Sequence, residues 1–225
     1  MLQIFYGGTF DPVHNGHLAI ARAASTTFGV PVRLMPAADP PHRAPPGATA
    51  LQRAHLLDLS AQDEPAFCVD RRELLRADHD PTSRSYTVDT LRELRAEQGD
   101  AVPLALLIGA DSLLGLPTWK AWSTLFDLAH FIVADRPGSG LDAGFPPELA
   151  AALENRWTDQ PADLHGAPAG RVYRLHQPLQ PESATEIRRR IGAGEAWRHL
   201  VPPRVADAIA DERLYGSRAV DAGQL

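Results

Sequence analysis

Cysteine is nearly missing from this 225-residue chain: Cys68 stands alone, which excludes an intrachain disulfide and a cysteine-built zinc cage. Lysine is as scarce, since Lys120 is the only one among 22 basic residues. No G-x-x-x-x-G-K-[ST] loop exists, and the G-x-G-x-x-G spacing is missing as well. No apolar run approaches the roughly 18 residues of a membrane span. The net charge is −6, and the one basic run, Arg188-Arg189-Arg190, points three ways at helical spacing. That argues against a nucleic-acid partner, because such binding needs a strongly basic face. Internal repeats and low-complexity tracts are also missing. The opening Met1-Leu2-Gln3-Ile4-Phe5-Tyr6 has no basic leader and no cleavage site. The expectation is a cytoplasmic protein without a membrane partner, a monomer or homodimer.

What is present is a core-forming composition, 44 % hydrophobic, in a length that suits one domain with a small C-terminal addition. Short apolar runs alternate with helical patterns. Strands are expected at Leu2–Tyr6, Val30–Met35, Ala66–Asp70, Pro103–Ile108, His130–Ala134 and Arg171–His176. Helices are expected near 16–28, 49–61, 86–98 and 120–127. In the third of these Val88, Leu91 and Leu94 share one face, with arginines and glutamates outside. Right-handed crossovers turn this order into a doubly wound parallel α/β sheet, Rossmann-like. Residues 36–47 are too proline-rich for a helix or internal strand, and 136–170 read as a long surface excursion with one helix near 147–154. Helices near 183–192 and 203–213 close the chain. The expected division is a core over 1–182 and a C-terminal helical segment over 183–225, packed together as one domain.

In such sheets ligands sit beyond the carboxyl ends of the strands. The first strand runs into Gly7-Gly8-Thr9-Phe10-Asp11-Pro12-Val13-His14-Asn15-Gly16-His17. Two glycines let backbone N–H groups approach an anion, and a helix starting near Asn15 adds its positive end. His14 and His17, three apart, project from one side of the first turn, as donors to a phosphorus transition state would. Each feature also has an ordinary explanation: a glycine turn, an Asp-Pro turn starter, a solvated histidine. A zinc site on the two histidines lacks an H-E-x-x-H context and an evident third ligand.

The string GGTFDPVHNGH resembles the H-x-G-H motif of the nucleotidylyltransferase superfamily, and in its longer form the bacterial nicotinate mononucleotide adenylyltransferases. Four further segments match in order. Pro40-Pro41-His42-Arg43 reads as a polyproline loop or as a carrier of two phosphate donors, and it resembles the family's P-P-H-[KR] loop. Ser85-Tyr86-Thr87-Val88-Asp89-Thr90-Leu91 contains residues that cap a helix, Ser85 or Thr87, and is similar to the family's S-Y-T-V-D-T-L. Ile108-Gly109-Ala110-Asp111-Ser112, followed by Pro117-Thr118-Trp119-Lys120, offers Asp111 as a helix N-cap or as an acceptor for ribose hydroxyls. Arg136 matches the family's R-P-G arginine. Ser183-Ala184-Thr185-Glu186-Ile187-Arg188 fits a capping box, and it resembles the family's I-S-[SA]-T-x-I-R with Glu182 as a departure.

The resemblance, covering residues 4 to about 215, implies adenylyl transfer from ATP to nicotinate mononucleotide. It implies His14, His17 and Arg188 as catalytic. The ATP side would use Gly8, Thr9, Phe10, Gly16, Gly109, Asp111, Ser183 and Thr185 with those three. The acceptor side would use His42, Arg43, Thr87, Trp119, Lys120 and Arg136. No metal ligand is expected from the protein; Mg2+ would arrive on the ATP phosphates. The competing readings are another acceptor (nicotinamide mononucleotide or phosphopantetheine), a class I aminoacyl-tRNA synthetase fragment, a metallohydrolase and a non-catalytic nucleotide-binding module.

Overall fold

Consecutive residues of the strands are apolar because the sheet is covered on both faces, which a parallel sheet requires. In the computed structural model, which describes residues 1–38, 46–80, 82–135, 140–177 and 182–216, the strands are β1 (Gln3–Gly8), β2 (Val32–Pro36), β3 (Phe67–Val69), β4 (Leu104–Gly109), β5 (His130–Asp135), β6 (Trp157–Thr158) and β7 (Val172–His176). All pairs are parallel, in the order β3-β2-β1-β4-β5-β7-β6. The strand order reverses between β1 and β4, so the crevice for a ligand lies beyond their carboxyl ends.

The helices are α1 (Asn15–Phe28), α2 (Ala50–Ala61), α3 (Arg72–His79), α4 (Thr87–Gln98), α5 (Ala110–Leu114), α6 (Leu125–Leu128), α7 (Pro147–Leu153), α8 (Pro161–Gly166), α9 (Ala184–Ala193) and α10 (Pro203–Asp211). Strand alternation divides the core in two. Ile4, Tyr6, Ala105, Leu107 and Ile132 meet Leu18 and Ala21 of α1, Leu56 of α2, Ile187 of α9 and Ile209 of α10. Phe5, Leu106, Ile108, Phe131 and Val133 meet Val88 and Leu91 of α4, Leu113 of α5, Phe126 of α6 and Leu149 of α7. No helix among the described residues is long and apolar enough to cross a membrane.

The expected doubly wound parallel sheet is observed, with differences in detail. Helix α3 joins the pattern where none was expected. The expected helix at 120–127 is a 3-10 turn, Trp122–Thr124, leading into the short α6. The excursion after β5 contains α7 as expected and also β6 and α8. On α4 the outward set is not wholly outward: Arg95 is buried. Its guanidinium donates to the carbonyls of Gly99, Asp100, Val102, Leu128 and Pro168, closing the helix end and the entry to β4.

His130 at the head of β5 is fully buried. Its Nδ1 accepts the Arg171 N–H at 2.9 Å, so the ring proton sits on Nε2 and is donated to the Ala167 carbonyl at 2.8 Å. Desolvation, reinforced by Arg95 and Arg171, outweighs that carbonyl contact and pushes the imidazole pKa below 6.5. Protonating Nδ1 would set a second donor against the Arg171 N–H. With a folded pKa below the unfolded one, the neutral ring's stabilisation is present above pH 6.5 and is lost as pH falls through the folded value. In urea titrations, the stability advantage of wild type over His130→Gln should therefore shrink on going from pH 7.5 to pH 5. An advantage that is constant over that range would remove His130 from the acid response.

Candidate active site

The loop between β1 and α1 reverses direction within a few residues, and Phe10 makes the reversal possible. Its φ is 50°, in the left-handed region that L residues seldom adopt, and its ring is almost wholly buried. The ring folds back over Gly8, packing edge-on against Tyr6 at 5.5 Å and His17 at 5.0 Å between centroids. A Cβ on Gly8 would stand 3.0 Å from that ring, so the close approach needs glycine. Phe10, expected on the ATP side, thus contributes its side chain to the core and to the support of His17.

His14 is the N-cap of α1, and His17 is its third residue. Their imidazoles lie 3.7 Å apart, tilted by 33°. The His17 Nδ1 accepts the His14 backbone N–H at 3.3 Å, which leaves the ring proton on Nε2. Burial pushes the His14 pKa down to about 4, so this ring is neutral at pH 7. The shift corresponds to ~3 kcal/mol in favour of the uncharged form. Among the described residues, the buried Nδ1 of His14 has no hydrogen-bond partner. No acidic residue occupies the first turn of α1, so the positive helix end is not offset by its own side chains.

The C-terminal helices reach this loop directly. Arg188 of α9 donates to the Asp11 carbonyl at 2.6 Å and stands 3.6 Å from its carboxylate. Ser183 caps α9 by accepting the Glu186 N–H at 3.2 Å, and Thr185 is exposed on the first turn. The expected capping box is not completed: the Glu186 carboxylate turns to Arg189 and Arg190. Thr9 and Gly16 belong to the same loop and helix start, as does Asn15, whose amide donates to the His199 carbonyl.

Across the crevice, Gly109 ends β4 and caps α5, so Asp111 is not the N-cap; it is exposed on the first turn of that helix. Neither Ser85 nor Thr87 caps α4, whose N-cap is Tyr86. The Ser85 hydroxyl accepts the Ala38 N–H at 3.0 Å instead, and Thr87 is the first helical residue. Lys120 comes to this helix start: its Nζ is 2.8 Å from the Asp89 carboxylate and 4.5 Å from the Tyr86 ring centroid. Trp119, next in the chain, is half-buried against the second core cluster, at the surface of the fold. The structure thereby brings Lys120, with Trp119 beside it in the chain, to the helix start that includes Thr87, and Arg188 to the histidine loop. His42, Arg43 and Arg136 lie outside the described residues.

Three residues of this region escaped the sequence reading. Asp11 is buried; its carboxylate accepts the Gly47 and Ala48 N–H groups and the Tyr215 hydroxyl. That hydroxyl's pKa is pushed well up by burial and by Asp11. Arg53 of α2 is buried and donates to the Thr9, Ala38 and Ala48 carbonyls at 2.6, 3.2 and 3.3 Å. The signal available for Arg53 was an arginine on the same face as Leu56, Leu57 and Ser60; none pointed to Tyr215.

The cytidylyltransferase-like family model matches residues 5–190. A Stenotrophomonas maltophilia protein named "Probable nicotinate-nucleotide adenylyltransferase" is 60 % identical over 96 % of this chain and 97 % of its own. An Escherichia coli protein named "Nicotinate-nucleotide adenylyltransferase" is 44 % identical over 95 % of this chain and 98 % of its own. Among solved structures, Plasmodium falciparum nicotinic acid mononucleotide adenylyltransferase complexed with NaAD superposes with a TM-score of 0.70 over 96 % of this chain and 98 % of that one. At 13 % identity that last likeness speaks to the fold alone.

A methyl at position 8 would press on the Phe10 ring, which packs in turn against Tyr6 and His17. Gly8→Ala should cost roughly 1–3 kcal/mol of stability, as overpacking does. In the same variant the His14 and His17 imidazole resonances should shift in an NMR pH titration. Unchanged ring resonances with unchanged stability would show that Phe10 yields freely.

Proposed function

The chain belongs to the cytidylyltransferase-like family, and from that premise we propose that it transfers the adenylyl group of ATP to nicotinate mononucleotide, giving nicotinate adenine dinucleotide and pyrophosphate, a step in NAD biosynthesis. The names of its curated relatives, at 60 % and 44 % identity over nearly the whole chain, support the reaction. The observation that carries it is the pair of imidazoles stacked on the first turn of α1, with Arg188 of α9 bonded to the same loop.

A phosphate monoester has its second pKa near 6, so the acceptor is largely a dianion at pH 7 and needs no general base. One of its phosphate oxygens bonds to the α-phosphorus of ATP while the bond from that phosphorus to the bridging oxygen breaks, and the electron pair leaves with pyrophosphate. The remaining task is to align two polyanions and stabilise charge on the transferring phosphoryl group. His17 and His14 serve the α- and β-phosphates. Thr9, Ser183, Thr185 and Arg188 serve the rest of the triphosphate, with Gly8 and Gly16 opening the backbone to it. Asp111, beside Gly109, takes the ribose hydroxyls. Trp119 stacks on the pyridine ring, whose carboxylate meets Thr87 and the backbone near Lys120. His42, Arg43 and Arg136 are assigned to the acceptor phosphate by sequence pattern.

Mg2+ is read as part of the ATP substrate, where it neutralises phosphate charge. The donors around the histidines suit phosphate oxygens, and the buried carboxylate beside them, Asp11, already accepts from two N–H groups and a hydroxyl. Residues 183–225 are taken to work with the 1–182 core as one domain, a reading supported by Ile187, Ile191 and Ile209 sharing the apolar cluster of Ile4 and Leu18. The place of action is the cytoplasm.

Pyrophosphate release from Mg-ATP, measured with the acid and the amide mononucleotide in parallel, tests the acceptor; faster turnover with the amide would overturn the nicotinate assignment. His17→Ala should lower kcat by roughly 10²–10³, the effect of removing one preorganised donor. Turnover within a few-fold of wild type in that variant would refute the role given to His17.

A further inference from the structure

Arg53 is a fully buried guanidinium, and every bond described for it ends on a loop of the site. Nη1 reaches the Thr9 carbonyl in the phosphate loop, Nη2 the Ala38 carbonyl just after β2, and Nε the Ala48 carbonyl just before α2. Asp11 works from the other side, accepting the Gly47 and Ala48 N–H groups. Residues 38 and 47–48 are the two ends of the segment that follows β2. Both ends are therefore fixed to the β1–α1 loop through one cation and one anion. Gly47 is packed so closely that a Cβ there would stand 3.0 Å from the Tyr215 ring, whose hydroxyl completes the Asp11 contacts at 2.8 Å.

We propose that Arg53, together with Asp11, is a positioning residue of the reaction: the pair holds the phosphate loop in register with Ala38 after β2 and with Gly47 and Ala48 before α2, so that the two substrates meet in line. The inference rests on the function proposed above. Its physical basis is the planar fork of a guanidinium, which reaches three separated carbonyls at once; a lysine ammonium on a flexible stem does not. The register matters because a misplacement of about 1 Å between reacting groups can cost on the order of 10²-fold in rate.

The test is Arg53→Lys, which keeps the charge and loses the fork, with Tyr215→Phe as a milder variant that loosens Asp11 without touching the guanidinium. Three quantities are measured on folded protein: kcat, the affinity for a methylene analogue of ATP alone, and the affinity for nicotinate mononucleotide alone. Arg53→Lys should lower kcat by about 10–100-fold and Tyr215→Phe by about 3–10-fold, with each separate affinity within about threefold of wild type. Should Arg53→Lys fail to fold, Tyr215→Phe decides. A kcat near wild type in the folded variant overturns the proposal, as does a loss confined to the affinity for one substrate. Wild type is assayed alongside: if it releases no pyrophosphate from ATP and nicotinate mononucleotide, the functional reading falls, whereas an active wild type with indifferent variants sinks only the role of Arg53.

Discussion

A single buried carboxylate, that of Asp11, decides how this molecule closes. It accepts from Gly47 and Ala48 on one side and from Tyr215, 204 positions away, on the other, while its own carbonyl takes Arg188. A carboxylate with so little exposure is costly unless its oxygens are satisfied. Once satisfied, it penalises each partner for leaving, typically by about 1–3 kcal/mol for a stranded buried group. The loop bearing the histidines, the start of α2 and the turn at Leu214–Gly216 are consequently bound to one point. The apolar cluster under α1, α9 and α10 brings these segments near each other, and Asp11 fixes which atoms meet.

The charge balance looks unsuited to two polyanionic substrates until the arginines are sorted by partner. Away from the crevice several are answered by carboxylates: Arg72 by Asp70 and Glu97, Arg174 by Asp135 and Asp142, Arg189 by Glu186 and Glu195. At the crevice Arg53 and Arg188 bond mainly to carbonyl oxygens, which orient a guanidinium without cancelling its charge. Both feel the carboxylate of Asp11, Arg188 at 3.6 Å, so at this loop two cations face one anion in a chain whose net charge is −6. Such local focusing is what a phosphate site requires, and the overall charge does not report it.

The central strands were legible because burial on both faces leaves an unbroken apolar run in the sequence. Helix α3 was not, since only Glu73 and Leu74 of its eight residues are buried, its sequence is mostly charged, and the second of its two leucines, Leu75, is exposed. Strand β6 is a two-residue edge, too short for any pattern. In the site, the glycines and histidines between β1 and α1 stand next to each other in the chain and could be read together. Arg53 and Tyr215 could not, because their meaning lies in partners remote in sequence. Caps were misread where backbone geometry chose a neighbour: Gly109 rather than Asp111, Tyr86 rather than Ser85 or Thr87.

The stacked imidazoles limit how the proposed chemistry can work. Two unit positive charges about 4 Å apart repel by roughly 4 kcal/mol at an effective dielectric of 20, about three pKa units. The rings are 3.7 Å apart and His14 is already driven toward its neutral form by burial, so the pair does not carry two charges near neutral pH. Their contribution to a phosphoryl transition state must then be directional, an N–H placed where charge develops, rather than bulk neutralisation. Neutralisation is left to the helix start, Arg188 and the cation carried by ATP. This division accounts for an N-cap position held by histidine in place of the serine or aspartate that would cap α1 better. A smaller side chain would satisfy the helix, but it would not project a ring to support the one at His17.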